Sequence, residues 1–192
     1  MPIKVTDTNL QDVKIIEPAV FGDHRGFFTE SYSEKDFKEA GINFDFVQDN
    51  HSLSAEAGVI RGLHFQKGEH AQTKLIRVVT GAVLEVIVDL RKGSPTYGKW
   101  ESYILSEHNQ RQLLVPRGFA HGFVTLTPNV NFLYKCDNYY NGPADGGIHF
   151  NSPELKIDWP IDLSKAITSE KDSLLTTFKE FELENKFVYG EI

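Results

Sequence analysis

The sequence predicts an all-β fold of the sandwich or jelly-roll type, on three observations. Apolar and β-branched residues alternate with period two through a series of short segments. Turn-forming residues separate those segments at regular spacing, and no long helical pattern intervenes. In order, the strands are VKIIEP from Val13, GFFTESY from Gly26, FVQDNHSL from Phe46, GVIRGLHFQ from Gly58 and KLIRVVTG from Lys74. AVLEVIVDL from Ala82, WESYILS from Trp100, RQLLVP from Arg111, GFVTLT from Gly122 and VNFLYKC from Val130 follow. Within AVLEVIVDL, Leu84, Val86, Val88 and Leu90 share a face that packs a core; Val83, Glu85, Ile87 and Asp89 face either solvent or a pocket.

Two short helices flank the strands. Ser33 caps SEKDFKEA, which Gly41 ends. Near the C-terminus Leu174, Leu175, Phe178 and Phe181 recur at helical spacing after Ser169. With no low-complexity linker and no internal repeat, residues 1–192 read as one domain.

Composition limits the function classes. A chain of 192 residues with 40% hydrophobic and 24% charged residues is an ordinary globular sequence. A net charge of -7 argues against a nucleic-acid coat, which calls for a basic face, but leaves room for a small anion held by local arginines. Cys136 is the single cysteine and has no internal disulfide partner, as expected of a core thiol in a reducing compartment. The opening MPIKVTDTNLQDVK lacks an apolar signal core, and no run approaches about 18 apolar residues, so secretion and membrane spanning are not predicted and a cytoplasmic location is.

Polar residues concentrate in QDNHS (48–52), IRGLHFQ (60–66), AQTK (71–74), PRGFAHGF and FLYK. On inward-facing strands they supply arginine, histidine, lysine and tyrosine to one cavity. His64 is the best base candidate, because a neutral imidazole with an ordinary pKa of ~6.5 accepts a proton near pH 7. Tyr134, ordinarily ~10, stays protonated and can donate. Lys74 can hold a developing oxyanion. Each has a plainer alternative: a hydrogen-bonded histidine, a core tyrosine beside Phe132 and Cys136, a lysine guarding a strand edge. Spacing adds a constraint. Arg61 and His64 lie three apart, so a regular strand points them to opposite faces; both reach one cavity only if the strand bulges, naturally at Gly62, or if one enters a partner's site.

PRGFAHGF resembles the second motif of the cupin superfamily, with Pro116, Gly118 and an inward His121. The first cupin motif carries two histidines two apart; here His64 is followed by Gln66, and an amide is a poor metal ligand. Glu69, His70 and His121 remain as candidate donors for a metal-dependent cupin.

The ordered set FGDHRGFFTESY, FVQDNHS, GVIRGLHFQ, AQTKLIRVVTG, VDLRKGSPTYGKW, RQLLVPRGFAHGF, FLYKCDNYY and SEKD resembles the dTDP-4-dehydrorhamnose 3,5-epimerase family over about residues 13–172. That resemblance implies a metal-free cupin jelly roll, a nucleotide-sugar substrate, no cofactor and a homodimer. It assigns His64 as base, Asp172 as the carboxylate that orients it, Tyr134 as the opposing acid and Lys74 as the enolate holder. Around the nucleotide diphosphate and sugar it places Arg25, Glu30, Gln48, Asp49, Asn50, Arg61, His121 and Lys171, with Phe21 and Phe27 as apolar walls and Tyr140 as a stacking surface. Asp145 stands where the family has glutamate, and Glu69 and His70 replace a more apolar pair. The tail after Asp172 lies beyond the motifs and packs either on the barrel or on a second subunit. Alternatives are an enzyme of this fold inverting one centre or acting as a 3,4-ketoisomerase, a metal-dependent cupin, and a non-catalytic sugar- or nucleotide-binding module.

Overall fold

The computed structural model describes residues 2–191. Among the described residues thirteen strands form: β1 Ile3–Asp7, β2 Lys14–Pro18, β3 Val20–Asp23, β4 Gly26–Thr29, β5 Gln48–Ser54, β6 Ile60–Gln66, β7 Lys74–Thr80, β8 Ala82–Asp89, β9 Trp100–Ser106, β10 Gln112–Val115, β11 Phe119–Thr125, β12 Val130–Cys136 and β13 Asp145–Gly147. Helix α1 spans Glu34–Glu39, α2 Glu170–Ser173 and α3 Phe178–Glu184. A six-stranded sheet runs β1-β2-β10-β7-β12-β5, a five-stranded sheet runs β13-β6-β11-β8-β9, and β3–β4 is a separate hairpin. Every strand read from the sequence is present; the short strands β1, β3 and β13, whose apolar pattern covers two residues at most, were not anticipated.

The two large sheets face each other as a jelly roll. Their inner faces interlock through Ile76, Leu113, Val130 and Phe132 from one and Val83, Ile87, Leu105 and Phe123 from the other. Phe123 stacks on Phe132 across the gap, with ring centroids 4.2 Å apart. Both faces of β8 are therefore buried: Val86, Val88 and Leu90 join a second core outside the five-stranded sheet, while Glu85 and Asp89 point between the sheets. Asp89 is matched there by Arg91, Ser94 and Thr96.

Ser33 caps α1 as expected, its Oγ accepting from the Asp36 amide. The C-terminal helical pattern is corrected: it divides into α2 and α3. The Thr176 carbonyl accepts from the His149 amide in a bridge to Ile148, which draws the backbone out of helix. Thr177 and Glu180 then form a capping box that starts α3. Leu174, expected on the buried face, is 76% exposed, while Phe178 and Phe181 are buried. The tail packs on its own barrel, Phe181 and Phe187 lying 5.1 and 5.6 Å from the Phe65 ring. Among the described residues no helix is long and apolar enough to cross a membrane.

The anticipated bulge is in β6. Opposite β11 the register runs His64 to His121 and then Arg61 to Phe123, three residues against two, so one extra residue is accommodated. Gly62 has φ of 117°, and a Cβ there would lie 2.7 Å from Gly122 Cα and 2.8 Å from the His121 carbonyl oxygen. A Gly62→Ala chain therefore meets backbone that cannot retreat, in a conformation L-residues avoid. Denaturant unfolding should show at least about 2 kcal/mol lost.

Candidate active site

The bulge turns Arg61 and His64 to the same cavity, about 440 Å³ in volume, between the sheets. It also frees the Gly62 amide, which donates to Asp172 Oδ2 at 3.1 Å. Asp172 is the third residue of α2; Ser169, before the helix, accepts the Asp172 amide on its Oγ. The other oxygen, Oδ1, lies 2.6 Å from His64 Nε2. With Nε2 committed to the carboxylate, Nδ1 is the ring nitrogen left to take a proton. Burial raises the Asp172 pKa, but the His64 hydrogen bond and charge, with the Gly62 amide, outweigh it, so the group lies below the usual carboxylate value and stays ionised at neutral pH.

Tyr134 enters from the opposite wall. It sits on β12 of the six-stranded sheet, whereas His64 sits on β6 of the five-stranded one. Burial, with the neighbouring Cys136, pushes its hydroxyl up to about 12, so it remains a proton donor across the neutral range. Lys74, on β7, and His121, on β11, bridge the sheets at the buried end of the cavity, Nζ to Nε2 2.8 Å. Burial lowers the pKa of Lys74 and holds His121 far below its ordinary value, so the imidazole is neutral. The Lys74 ammonium also lies 5.7 Å from the Tyr134 ring centroid.

The mouth carries the remaining polar groups. Arg61 donates through Nε to Ser54 Oγ at 3.2 Å and through a terminal nitrogen to the Leu53 carbonyl at 3.2 Å. Lys171 pairs with Asp145, which also accepts from the Tyr140 hydroxyl at 3.5 Å. Asn50 lines the wall; Gln48 stands behind it, donating to Asn50 Oδ1 at 3.1 Å and accepting the Tyr140 amide at 3.1 Å.

His64, Tyr134, Asp172, Lys74, Asn50, Arg61, His121, Tyr140, Asp145 and Lys171 thus converge on one cavity. Asp49 does not: the alternation of β5 turns it outward, where it pairs with Lys135 at 2.9 Å. Phe21, Arg25 and Phe27 belong to the β3–β4 hairpin and line a separate cleft of about 170 Å³, with Arg25 bound to Asp23. Glu30, just past that hairpin, is exposed and likewise lies outside this chain's cavity. Glu69 and His70 sit outside it too. Sequence reasoning missed Ser169, signalled by its place three residues before an acid, and Glu85, an acid on a strand face whose alternation fits solvent and pocket equally.

Gln66, at the position of the second motif histidine, donates its amide to the carbonyls of His70 and Tyr139 and accepts the Asn141 amide, pinning two loops. Among the described residues no three His, Cys, Asp or Glu side chains are grouped to hold a metal ion. Cys136 is buried and free, with burial raising its thiol to about 11.

The profile of the family described as dTDP-4-dehydrorhamnose 3,5-epimerase matches residues 7–180. The dTDP-4-dehydrorhamnose 3,5-epimerase of Salmonella typhimurium is 54% identical over 81% of this chain and 85% of its own. The crystal structure of the Bacillus anthracis dTDP-4-dehydrorhamnose 3,5-epimerase with TDP and PPi bound superposes with a TM-score of 0.88 at 56% identity, covering 91% of this chain and 99% of that one. The dTDP-6-deoxy-D-glucose-3,5-epimerase of Legionella pneumophila, in complex with dTDP-4-keto-L-rhamnose, gives a TM-score of 0.91 at 43% identity, covering 97% and 98%. The chain belongs to the dTDP-4-dehydrorhamnose 3,5-epimerase family.

Proposed function

We propose that this protein inverts C3 and C5 of dTDP-4-dehydro-6-deoxy-D-glucose, giving dTDP-4-dehydro-L-rhamnose by deprotonation and reprotonation. The observation that carries this reading is the placement of His64 with Asp172 on one wall of a cavity and Tyr134 on the other. The ketone at C4 acidifies the hydrogens on C3 and C5. His64 Nδ1 takes one of these as a proton, and the pair left behind becomes an enolate with its charge on the C4 oxygen. Asp172 stabilises the imidazolium so formed, and the Lys74 ammonium stabilises the enolate oxygen. Tyr134 returns a proton to the opposite face of the carbon, which inverts it; water then reprotonates the phenolate and relieves His64. No electron leaves or enters the sugar, so the chemistry asks for no redox cofactor.

Arg61, Lys171, Asn50 and Tyr140 at the mouth suit a nucleotide diphosphate, guanidinium and ammonium meeting phosphate oxygens while the phenol ring offers a stacking face. The hairpin residues find a role if two copies associate. Phe21, Phe27 and Phe28 are 52%, 61% and 63% exposed on one two-stranded ribbon, an apolar cluster of the kind that marks interaction sites. In the homodimer we propose, each hairpin crosses to the partner and brings Arg25 and Glu30 to that copy's cavity. Arg25→Ala should then raise KM about tenfold with kcat nearly unchanged, the pattern of a lost binding contact; a monomer by sedimentation, with KM unmoved in this variant, contradicts the arrangement. The buried unpaired thiol of Cys136 suits a cytoplasmic setting.

Incubation of the purified protein with dTDP-4-dehydro-6-deoxy-D-glucose, followed by proton NMR, tests the reading. Appearance of the L-rhamno ketone supports it. A substrate that stays unchanged, or one whose carbonyl migrates to C3 without inversion at C5, removes it.

A further inference from the structure

A carboxylate that the reaction as described does not use lies behind the cavity. Glu85, on β8, is wholly buried between the sheets. Its Oε1 is 2.7 Å from His121 Nδ1, and Oε2 has no hydrogen-bond partner. His121 Nε2 in turn meets Lys74 Nζ at 2.8 Å. Three titratable groups from three strands therefore form one buried line that ends at the substrate cavity.

We propose that Glu85 is the positioning residue for Lys74, acting through His121: the carboxylate accepts the Nδ1 hydrogen, which fixes the Nε2 lone pair toward Lys74 and holds the ammonium, charged, against the C4 oxygen. This rests on the epimerase reading and deepens it. An ammonium has three N–H bonds; one spent on Nε2 leaves two for an oxyanion. A buried ammonium is costly alone and is retained when a buried anion compensates it. Burial lowers the Lys74 pKa and lifts that of Glu85 well above the usual carboxylate value, and the attraction between the two opposes each shift without cancelling it. A protein that needed only a packed core would place an apolar residue at this position, as β8 does at Val83 and Ile87 on the same face.

The surrounding groups leave this role to Glu85. Tyr134 and Cys136 from β12 face Lys74, and both are neutral near pH 7. Asp145, on β13, is committed to Lys171. His64, the cross-strand neighbour of His121 on β6, is committed to Asp172. Tyr103, beside Glu85 on β9, gives its hydroxyl to Glu101.

Glu85→Gln keeps an oxygen able to accept the Nδ1 hydrogen and removes the charge. Expected are a kcat lower by about tenfold or more and a KM within about threefold of the parent. The alkaline limb of the kcat profile should move to lower pH by about one unit, because an ammonium deprived of its anion gives up its proton sooner. dTDP binding and the melting temperature serve as checks on folding. An alkaline limb that does not move, or an effect confined to KM, overturns the proposal. If the variant does not fold, nitrogen-15 histidine NMR of the unaltered protein decides: His121 should remain the neutral Nδ1–H tautomer from about pH 6 to 9, whereas an Nε2–H tautomer or an imidazolium overturns the proposal. That spectrum does not depend on turnover. Failure of the parent protein to convert the keto sugar counts against the epimerase reading, and a wrong tautomer counts against the role of Glu85.

Discussion

His64→Ala lowers kcat by about 10³–10⁴-fold at neutral pH, with KM for the keto sugar changed little. In the proposed reaction the imidazole removes a carbon-bound hydrogen, with Nε2 held by Asp172 and Nδ1 left for the sugar. Its loss stops the reaction before any enolate exists. Solvent deuterium should then fail to enter recovered substrate as well as product, and the two losses should be equal within error. Asp172 keeps its hydrogen bond from the Gly62 amide, so α2 stays docked and the cavity survives. Retention of more than about one-tenth of the parent rate would assign the base elsewhere.

Tyr134→Phe gives the complementary result. Net epimerisation should fall by about 10²–10³-fold, but proton removal by His64 continues. A carbon deprotonated by His64 is then reprotonated by the same imidazole from the same face, so it returns to its starting configuration carrying solvent deuterium. The ratio of exchange to epimerisation therefore rises in this variant and stays flat in His64→Ala. The Tyr134 hydroxyl, pushed up to about 12, does not itself ionise in the working range. An alkaline limb below that value belongs to the buried Lys74, whose pKa burial lowers. Equal loss of exchange and epimerisation in Tyr134→Phe would show that the tyrosine is not the downstream acid.

What could be read without coordinates follows from which physical rules act locally. The parity conflict between Arg61 and His64 is a property of a two-residue period, so spacing left two resolutions, a bulge at Gly62 or a residue lent to a partner, and the register of β6 against β11 has the bulge. The same rule argues against Asp49: matching the motif QDN placed all three residues at the site, yet β5 turns the middle one outward. The break between α2 and α3 left no mark in the apolar spacing, because its cause is a backbone bridge from Thr176 to the Ile148 segment, distant in sequence. Glu85 was recognisable only as an acid in an apolar strand; its value depends on His121 and Lys74 arriving from two other strands. For Phe21, Arg25 and Phe27 the motif was legible, but whose cavity they serve is a question of assembly that one chain's sequence does not encode.

The central claim is that one cavity inverts two carbons by the same base and acid. The measurement that meets it most directly is turnover of dTDP-4-dehydro-6-deoxy-D-glucose in heavy water, with deuterium read separately at C3 and C5 of the product. The arrangement of His64, Tyr134 and Lys74 predicts deuterium at both carbons and inverted configuration at both. Deuterium confined to one carbon, with the other centre unchanged, would contradict the account.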